Sequence, residues 1–227
     1  MKQVSYARQT TESPNPLAKF AHKSRIGRSI DYTNNLLPDR GSILDFGSGE
    51  GYFLKMLSQK KPRAKLYGYD PYKDRDCSEF TQISDLEQLK TSSLDIVTAF
   101  EVCEHLFEEE IHHFLKQATR LLNRDGKVVI SVPIMYGFAL IPKELNKMIL
   151  NQRKSVYRLS EFSEALLGKQ ILRPESPRHT HKGFDFRWLE NIVEDYFIIT
   201  KRVFCPFSFF PWYLNSQCFF ECRKHNK

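Results

Sequence analysis

Ser42-Ile43-Leu44-Asp45-Phe46-Gly47-Ser48-Gly49-Glu50-Gly51-Tyr52-Phe53-Leu54 reads as a short buried strand, a turn with glycine at every second position, and the first turn of a helix. Gly47, Gly49 and Gly51 can take φ values that other residues avoid, and without Cβ atoms they leave backbone bare for a ligand. Their spacing selects among ligands. A dinucleotide fingerprint needs the order G-x-G-x-x-G, and Tyr52 stands where its third glycine belongs. The pattern here is Asp-x-Gly-x-Gly-x-Gly, with Asp45 two residues before the first glycine. A carboxylate there repels a pyrophosphate and suits a ligand that carries an ammonium group.

Outward from this stretch, Ala64-Lys65-Leu66-Tyr67-Gly68-Tyr69-Asp70 reads as a second strand that Pro71 stops. In an open parallel sheet, ligands bind beyond the carboxyl ends of the strands, so Asp70 points into the crevice of the glycine loop. It lies nineteen residues after Gly51, near the roughly 20-residue offset of a ribose-binding acid, and can accept from both ribose hydroxyls. Glu79 to Ile83 is a short third strand, and Ser84 or Asp85 can cap the segment Leu86 to Lys90. Leu94-Asp95-Ile96-Val97-Thr98-Ala99-Phe100-Glu101-Val102-Cys103-Glu104-His105-Leu106 is nearly continuous in apolar character up to Phe100, as a central strand covered on both faces requires.

Asp45 through Gly51 resemble motif I of the class I S-adenosylmethionine (SAM)-dependent methyltransferases residue for residue. Glu101 to His105 resemble the fourth-strand motif of the type 11 and type 23 methyltransferase families, roughly Glu-Val-Leu-Glu-His, with Cys103 where leucine is commoner. The resemblance covers about residues 40 to 222 and implies SAM as cofactor, leaving S-adenosylhomocysteine. It implies that Asp45, Phe46, Gly47, Ser48, Gly49, Gly51 and Tyr52 hold the donor, with Asp70 and Pro71 at its ribose. Asp85 and Leu86 then meet the adenine, and Phe100, Glu101 and Cys103 flank the methionine part. His105 is either a general base or a hydrogen-bonder that shapes the loop. His181, in the run His179-Thr180-His181 before the last long helix, is the preferred pocket histidine, again against a satisfied loop histidine. The His-x-His pair is too small a ligand set for zinc, and no metal is expected.

The resemblance also sets the architecture: a Rossmann-like, doubly wound α/β sheet of seven strands with the seventh antiparallel. Residues 1–37 form an N-terminal helical cover and 38–227 the methyltransferase domain, with an insertion over about 134–177 as substrate wall. In the cover, residues 1–13 are polar and expected to move until something docks on them. A basic helix from Leu17 to Leu37 follows, whose Arg25 or His22 reaches the cofactor's carboxylate or lies on a solvated face. Beyond the fourth strand, Ile111 to Leu122 repeat at helical spacing until Asn123-Arg124-Asp125-Gly126 stops the helix, and Lys127 to Val132 is the fifth strand. Helices over Lys143 to Asn151 and Ser160 to Leu167 come next, then strands Tyr196 to Val203 and Gln217 to Cys222. Between the last two, Phe204 to Tyr213 holds six aromatics and two prolines. That stretch packs under the sheet edge, lines an acceptor pocket or dips into a membrane interface.

Bulk properties bound the rest. With 41% hydrophobic and 27% charged residues, the 227-residue chain is that of one soluble globular domain. Five cysteines, odd in number and without a C-x-x-C pair, together with a start that lacks an apolar h-region, imply a reducing, cytoplasmic setting. No apolar run is long enough to span a bilayer, though peripheral membrane contact stays open. The net charge of +7 is spread without a dense basic run, which favours anionic partners in general over nucleic acid in particular. A base N-methyltransferase signature (Asp/Asn-Pro-Pro-Tyr/Phe) is missing after the fourth strand, where Glu101-Val102-Cys103-Glu104 stands. The expected reaction is methyl transfer to a small apolar or anionic molecule, through oxygen. The alternatives are a nucleic-acid methyltransferase and a non-catalytic SAM-binding partner subunit.

Overall fold

The computed structural model describes residues 16–72, 77–149 and 155–225. Residues 1–15 and the side chain of His22, for which the sequence raised expectations, lie outside the described residues. Seven strands form one sheet: β1 (Ser42–Phe46), β2 (Lys65–Tyr69), β3 (Thr81–Ile83), β4 (Leu94–Phe100), β5 (Leu122–Pro133), β6 (Phe197–Cys205) and β7 (Gln217–Lys224). Their spatial order is β3-β2-β1-β4-β5-β7-β6. Strands β1 to β5 pair in parallel, whereas β7 runs antiparallel to both β5 and β6. The doubly wound sheet with an antiparallel seventh strand is the architecture that the sequence predicts.

Among the described residues six helices surround it: α1 (Pro16–Leu36), α2 (Tyr52–Lys60), α3 (Glu108–Leu121), α4 (Leu140–Ile149), α5 (Leu159–Leu166) and α6 (Phe186–Glu194). Side chains alternate across a strand, so each central strand feeds two cores. Leu44 and Val97 join Ile111, Phe114, Leu115 of α3 and Leu189, Val193 of α6 on one face. Ile43 and Ile96 join Ile30 of α1 and Leu54, Leu57 of α2 on the other. The second half of α1 is therefore part of the main core, with Ile30 and Leu37 nearly inaccessible. Tyr32 fixes it further by donating its hydroxyl to Glu221 Oε2 on β7, at 2.7 Å.

Several boundaries move, each for a local reason. Strand β3 begins at Thr81 rather than Glu79, because Phe80 turns inward and is buried against the glycine loop. Asn123 to Gly126, expected to stop a helix, form the irregular start of β5. The register slips between Leu94 and Ile96, and Asn123 Nδ2 donates to Asp95 Oδ1 at 2.6 Å. Helix α4 starts at Leu140 and not at Lys143, since Pro142 falls in its first turn, where no N–H is required. The end expected at Asn151 lies outside the described residues. Strands β6 and β7 each run two residues past their expected ends, to Cys205 and Lys224.

The 204–213 stretch divides in two. Phe204 and Trp212 pack against Phe186 of α6. Phe207, Phe209 and Phe210 stand out, and Phe209 is 88% exposed. Packing under the sheet edge thus describes only its two ends. Among the described residues, no helix is long and apolar enough to cross a membrane.

Candidate active site

The carboxyl ends of β1, β2 and β4 meet at the glycine loop. Tyr69 at the end of β2 accepts the N–H groups of Gly47 (2.7 Å) and Ser48 (3.1 Å), which pins the loop's first half. All three glycines have positive φ: 78° at Gly47, 53° at Gly49 and 70° at Gly51. A Cβ on Gly47 would lie 2.5 Å from Val102 Cγ2, and one on Gly51 would lie 2.4 Å from the Phe80 ring. A Cβ on Gly49 would meet nothing nearer than Gly47 O at 4.0 Å. Gly47 and Gly51 are therefore demanded by packing. Gly49 leaves an uncovered patch of backbone, as a cradle for a flat ligand needs.

Two carboxylates border that patch, in contrasting states. Asp70 is partly exposed, its Oδ2 accepting from Gly49 N–H at 3.0 Å and its Oδ1 from Tyr72 N–H at 2.9 Å. Asp45, at the end of β1, is only 4% exposed and accepts from Thr98 Oγ1 at 2.8 Å. Burial pushes its carboxyl up to about 7, with the Asp70 charge adding in the same direction and the Thr98 hydrogen bond opposing. A buried carboxyl with one neutral donor lacks a cation, which a ligand's ammonium group would supply.

At the end of β4 the chain makes a strained turn. Glu101 has φ of 56°, a conformation rarely adopted by residues other than glycine. Its Oε1 accepts from Gln217 Nε2 at 2.9 Å, across the sheet on β7. A 3-10 turn over Cys103–His105 follows, and it carries Glu104 into the interior. Both Glu104 oxygens are buried without a hydrogen-bond partner, and burial together with the Glu101 charge drives its carboxyl well above the ordinary range. His105 Nε2 lies 3.1 Å from Nε2 of His181, which arrives from the loop before α6. Burial lowers the basicity of His105.

The remaining expected residues fall into two groups. Asp85 caps the 3-10 turn Leu86–Gln88 through a 2.9 Å bond from Glu87 N–H, and Pro71 and Tyr52 are exposed near the loop. The side chains of Phe46, Leu86 and Cys103 point into the main core, so they can meet a ligand only through main-chain atoms. Phe100 packs edge-on against Phe53, 4.9 Å between centroids. Arg25 is half-buried on α1, and its charge falls on Glu104 just past β4 and on Lys143 of α4.

Three residues outside the sequence reading complete the site. Lys143 is half-buried, donates to Ile134 O (2.7 Å) and Ser216 O (3.0 Å), and is pulled down to about 8, mainly by burial of its ammonium. Arg173 Nη2 donates to the carbonyls of Glu104 (2.8 Å) and Leu106 (3.2 Å), clamping the 3-10 turn. Thr98 orients Asp45. A signal existed for two of them: a threonine inside an apolar strand, and a lysine directly after an apolar run. Arg173 gave none, because its partners lie nearly seventy residues away.

Comparison with known proteins bears on this geometry. Residues 19–182 match the family model of a type 23 methyltransferase domain. No curated protein shows significant similarity to the sequence. Among solved structures, a protein from Pyrococcus horikoshii OT3 superposes with a TM-score of 0.59 at 16% identity, covering 97% of this chain and 96% of that one. A TehB-like SAM-dependent methyltransferase from Corynebacterium glutamicum gives 0.50 at 16%, covering 95% and 99%. CalO1, a methyltransferase in calicheamicin biosynthesis solved with S-adenosylhomocysteine, gives 0.51 at 10%, covering 92% and 56%. At such identities these likenesses establish the fold, and the family match extends over well over half of the chain. The chain belongs to the methyltransferase-domain family and is a class I SAM-dependent methyltransferase.

Proposed function

We propose that the enzyme moves the methyl group of SAM to a hydroxyl oxygen of a small, apolar or anionic acceptor. In this reading Asp45 meets the SAM ammonium, Asp70 the ribose hydroxyls, and the Asp85–Leu86 main chain the adenine. The 3.1 Å contact between His105 and His181 carries the proposal. Two imidazoles at the end of β4 would stand beside the methionine part of the donor, where a hydroxyl proton has to be taken up. The sulfonium is already reactive, and holding donor and acceptor in line supplies on the order of 7–11 kcal/mol of the barrier. An imidazole base adds a factor on the order of 10²–10⁴ for an acceptor that must lose a proton. Exposed apolar side chains in the stretch after β5, such as Phe138 and Leu145, and the net positive charge support an acceptor with an apolar body or an anionic group.

The test is release of S-adenosylhomocysteine with a panel of phenols, aliphatic alcohols, amines and carboxylates, with RNA included. Turnover of hydroxyl acceptors, reduced at least tenfold in His181→Ala with SAM affinity retained, supports the proposal. Turnover of RNA or amines alone overturns it. SAM binding without turnover of any acceptor points instead to a non-catalytic subunit.

The glycine loop yields a separate expectation. Gly49→Ala adds a methyl group into open space and costs about 1 kcal/mol, from the left-handed backbone alone. Gly51→Ala meets the same backbone cost plus a clash with Phe80 worth roughly 1–3 kcal/mol more. Thermal melts should therefore show Gly51→Ala as much the less stable variant. Calorimetry should show Gly49→Ala folded but poor at binding SAM. Wild-type affinity in Gly49→Ala would remove that glycine from the donor site.

A further inference from the structure

We propose that Glu104, His105 and His181 bind one divalent ion of the first transition row or zinc, at the acceptor end of the cleft. The ligand atoms of these three residues all lie within 4.8 Å of one another. Two nitrogens at about 2.1 Å from one ion stand about 3.0 Å apart at a right angle and about 3.4 Å apart at a tetrahedral one. The observed Nε2···Nε2 distance is 3.1 Å, with the rings tilted by 59°. In the metal-free protein this distance fits a hydrogen bond between the rings, and with both Nε2 atoms unprotonated it is also the spacing of two cis ligands.

Glu104 is the independent observation. Its side chain is fully buried, yet neither carboxylate oxygen has a hydrogen-bond partner. Buried polar groups are nearly always paired, and a carboxylate with two orphaned oxygens costs several kcal/mol unless something unseen meets it. The cations nearby are otherwise occupied. Arg173 spends its guanidinium on backbone carbonyls and on the faces of Phe184 and Trp188. Lys143 donates to two backbone carbonyls and to Met135 Sδ. Among the charges around the carboxylate, Glu101 acts most strongly, and Arg25 and Lys143 oppose it. Two imidazoles add donor strength of the kind that suits zinc and the later transition metals over magnesium and calcium.

The site is also held in shape before any ion arrives. Glu104 and His105 are consecutive on the 3-10 turn that Arg173 clamps. The loop carrying His181 is tied down by Lys182, which donates to both oxygens of Glu161 at 2.9 and 2.7 Å. Three protein ligands leave open positions, and resting on the hydroxyl-acceptor reading, one of these takes the acceptor oxygen. The ion then acidifies that hydroxyl. With the ion bound the two imidazoles serve as its ligands and no longer as the base, so the proton passes to water as the O–CH₃ bond forms and the S–CH₃ bond breaks, with S-adenosylhomocysteine leaving.

The experiment titrates tag-free, chelator-stripped protein with Co²⁺, followed by calorimetry and by its ligand-field absorption, with Mg²⁺ in parallel. One Co²⁺ per chain with a nitrogen-ligated spectrum is expected, and no Mg²⁺ at the same concentration. Both Glu104→Gln and His181→Ala should weaken Co²⁺ binding at least tenfold, with SAM affinity reporting that each variant is folded. Should the buried Glu104→Gln fail to fold, His181→Ala decides, since it lies on a loop. Absence of Co²⁺ binding, or binding that survives His181→Ala, overturns the site. Turnover of hydroxyl acceptors that persists under chelation overturns the ion's role there while leaving the O-methylation reading intact. Binding of Co²⁺ without turnover of any hydroxyl acceptor does the reverse.

Discussion

Asp70→Ala is expected to weaken SAM binding by about 100-fold or more, the largest single loss at the donor site. A carboxylate offers about four acceptor positions, and two are already used by the N–H groups of Gly49 and Tyr72. Two remain for the ribose hydroxyls. Hydrogen bonds to a charged acceptor contribute roughly 1.5–3 kcal/mol each, so losing both accounts for the expected factor. Part of the loss acts on the protein itself, because the Gly49 N–H is no longer held in the cradle geometry. Calorimetry with SAM and with an analogue lacking the ribose 2′-hydroxyl separates the two contributions. The analogue should bind wild type more weakly than SAM does, and Asp70→Ala should not distinguish them. If the variant still prefers SAM by the wild-type ratio, Asp70 does not touch the ribose. Asp70→Asn should also fail, since its amide would set an N–H against one of the two backbone donors.

How far the sequence alone reaches can be judged residue by residue. The doubly wound parallel sheet followed from strand-sized apolar runs alternating with helical periodicity, while the count of seven strands and the antiparallel seventh came from the family resemblance of the glycine loop and the fourth strand. These signals are local, lying within a dozen residues of one another. Asp70 and Asp85 were legible because a strand's end fixes where its last acid points. Asp85 is observed in its capping role on the 3-10 turn that follows β3. Burial was not legible. Nothing in Glu101-Val102-Cys103-Glu104-His105 tells that Cys103 faces the core and that Glu104 is fully enclosed, because a positive φ at Glu101 redirects the chain there. The meeting of His105 with His181 is a contact across 76 residues, invisible to any pattern short of the folded sheet. The stretch Leu122 to Pro133 misled in the opposite way. Its Asn123 to Gly126 has turn composition, but pairing with β4 drew it into the sheet as an irregular strand end.

Asp45→Asn is expected to stabilise the ligand-free enzyme while damaging its affinity for SAM, and the two effects share one cause. Burial raises the Asp45 carboxyl from its ordinary 3.8 to about 7 in the folded protein. Between these values the native state binds the proton more tightly than the unfolded chain does. Stability therefore falls as pH rises through that window, and it stays reduced above about 7. The penalty is on the order of a few kcal/mol, since each tenfold difference in proton affinity is worth about 1.4 kcal/mol. Asparagine keeps the oxygen that Thr98 hydrogen-bonds and has no charge to bury. Melts at pH 8 should then show the variant above wild type by several degrees, and the gap should close near pH 4. In SAM binding the order reverses. Wild-type affinity should climb from pH 5 to 7 as the carboxylate forms against the ligand's ammonium group. The variant should bind at least tenfold more weakly at pH 7, with little slope over that range. An equal melting temperature at pH 8 would mean that the isolated charge is already compensated in the free protein. A parallel pH slope in the variant would mean that some other group meets the ammonium. The same buried acid would be a burden to folding and a grip for the donor, the trade expected where a site is built for charge that arrives with its ligand.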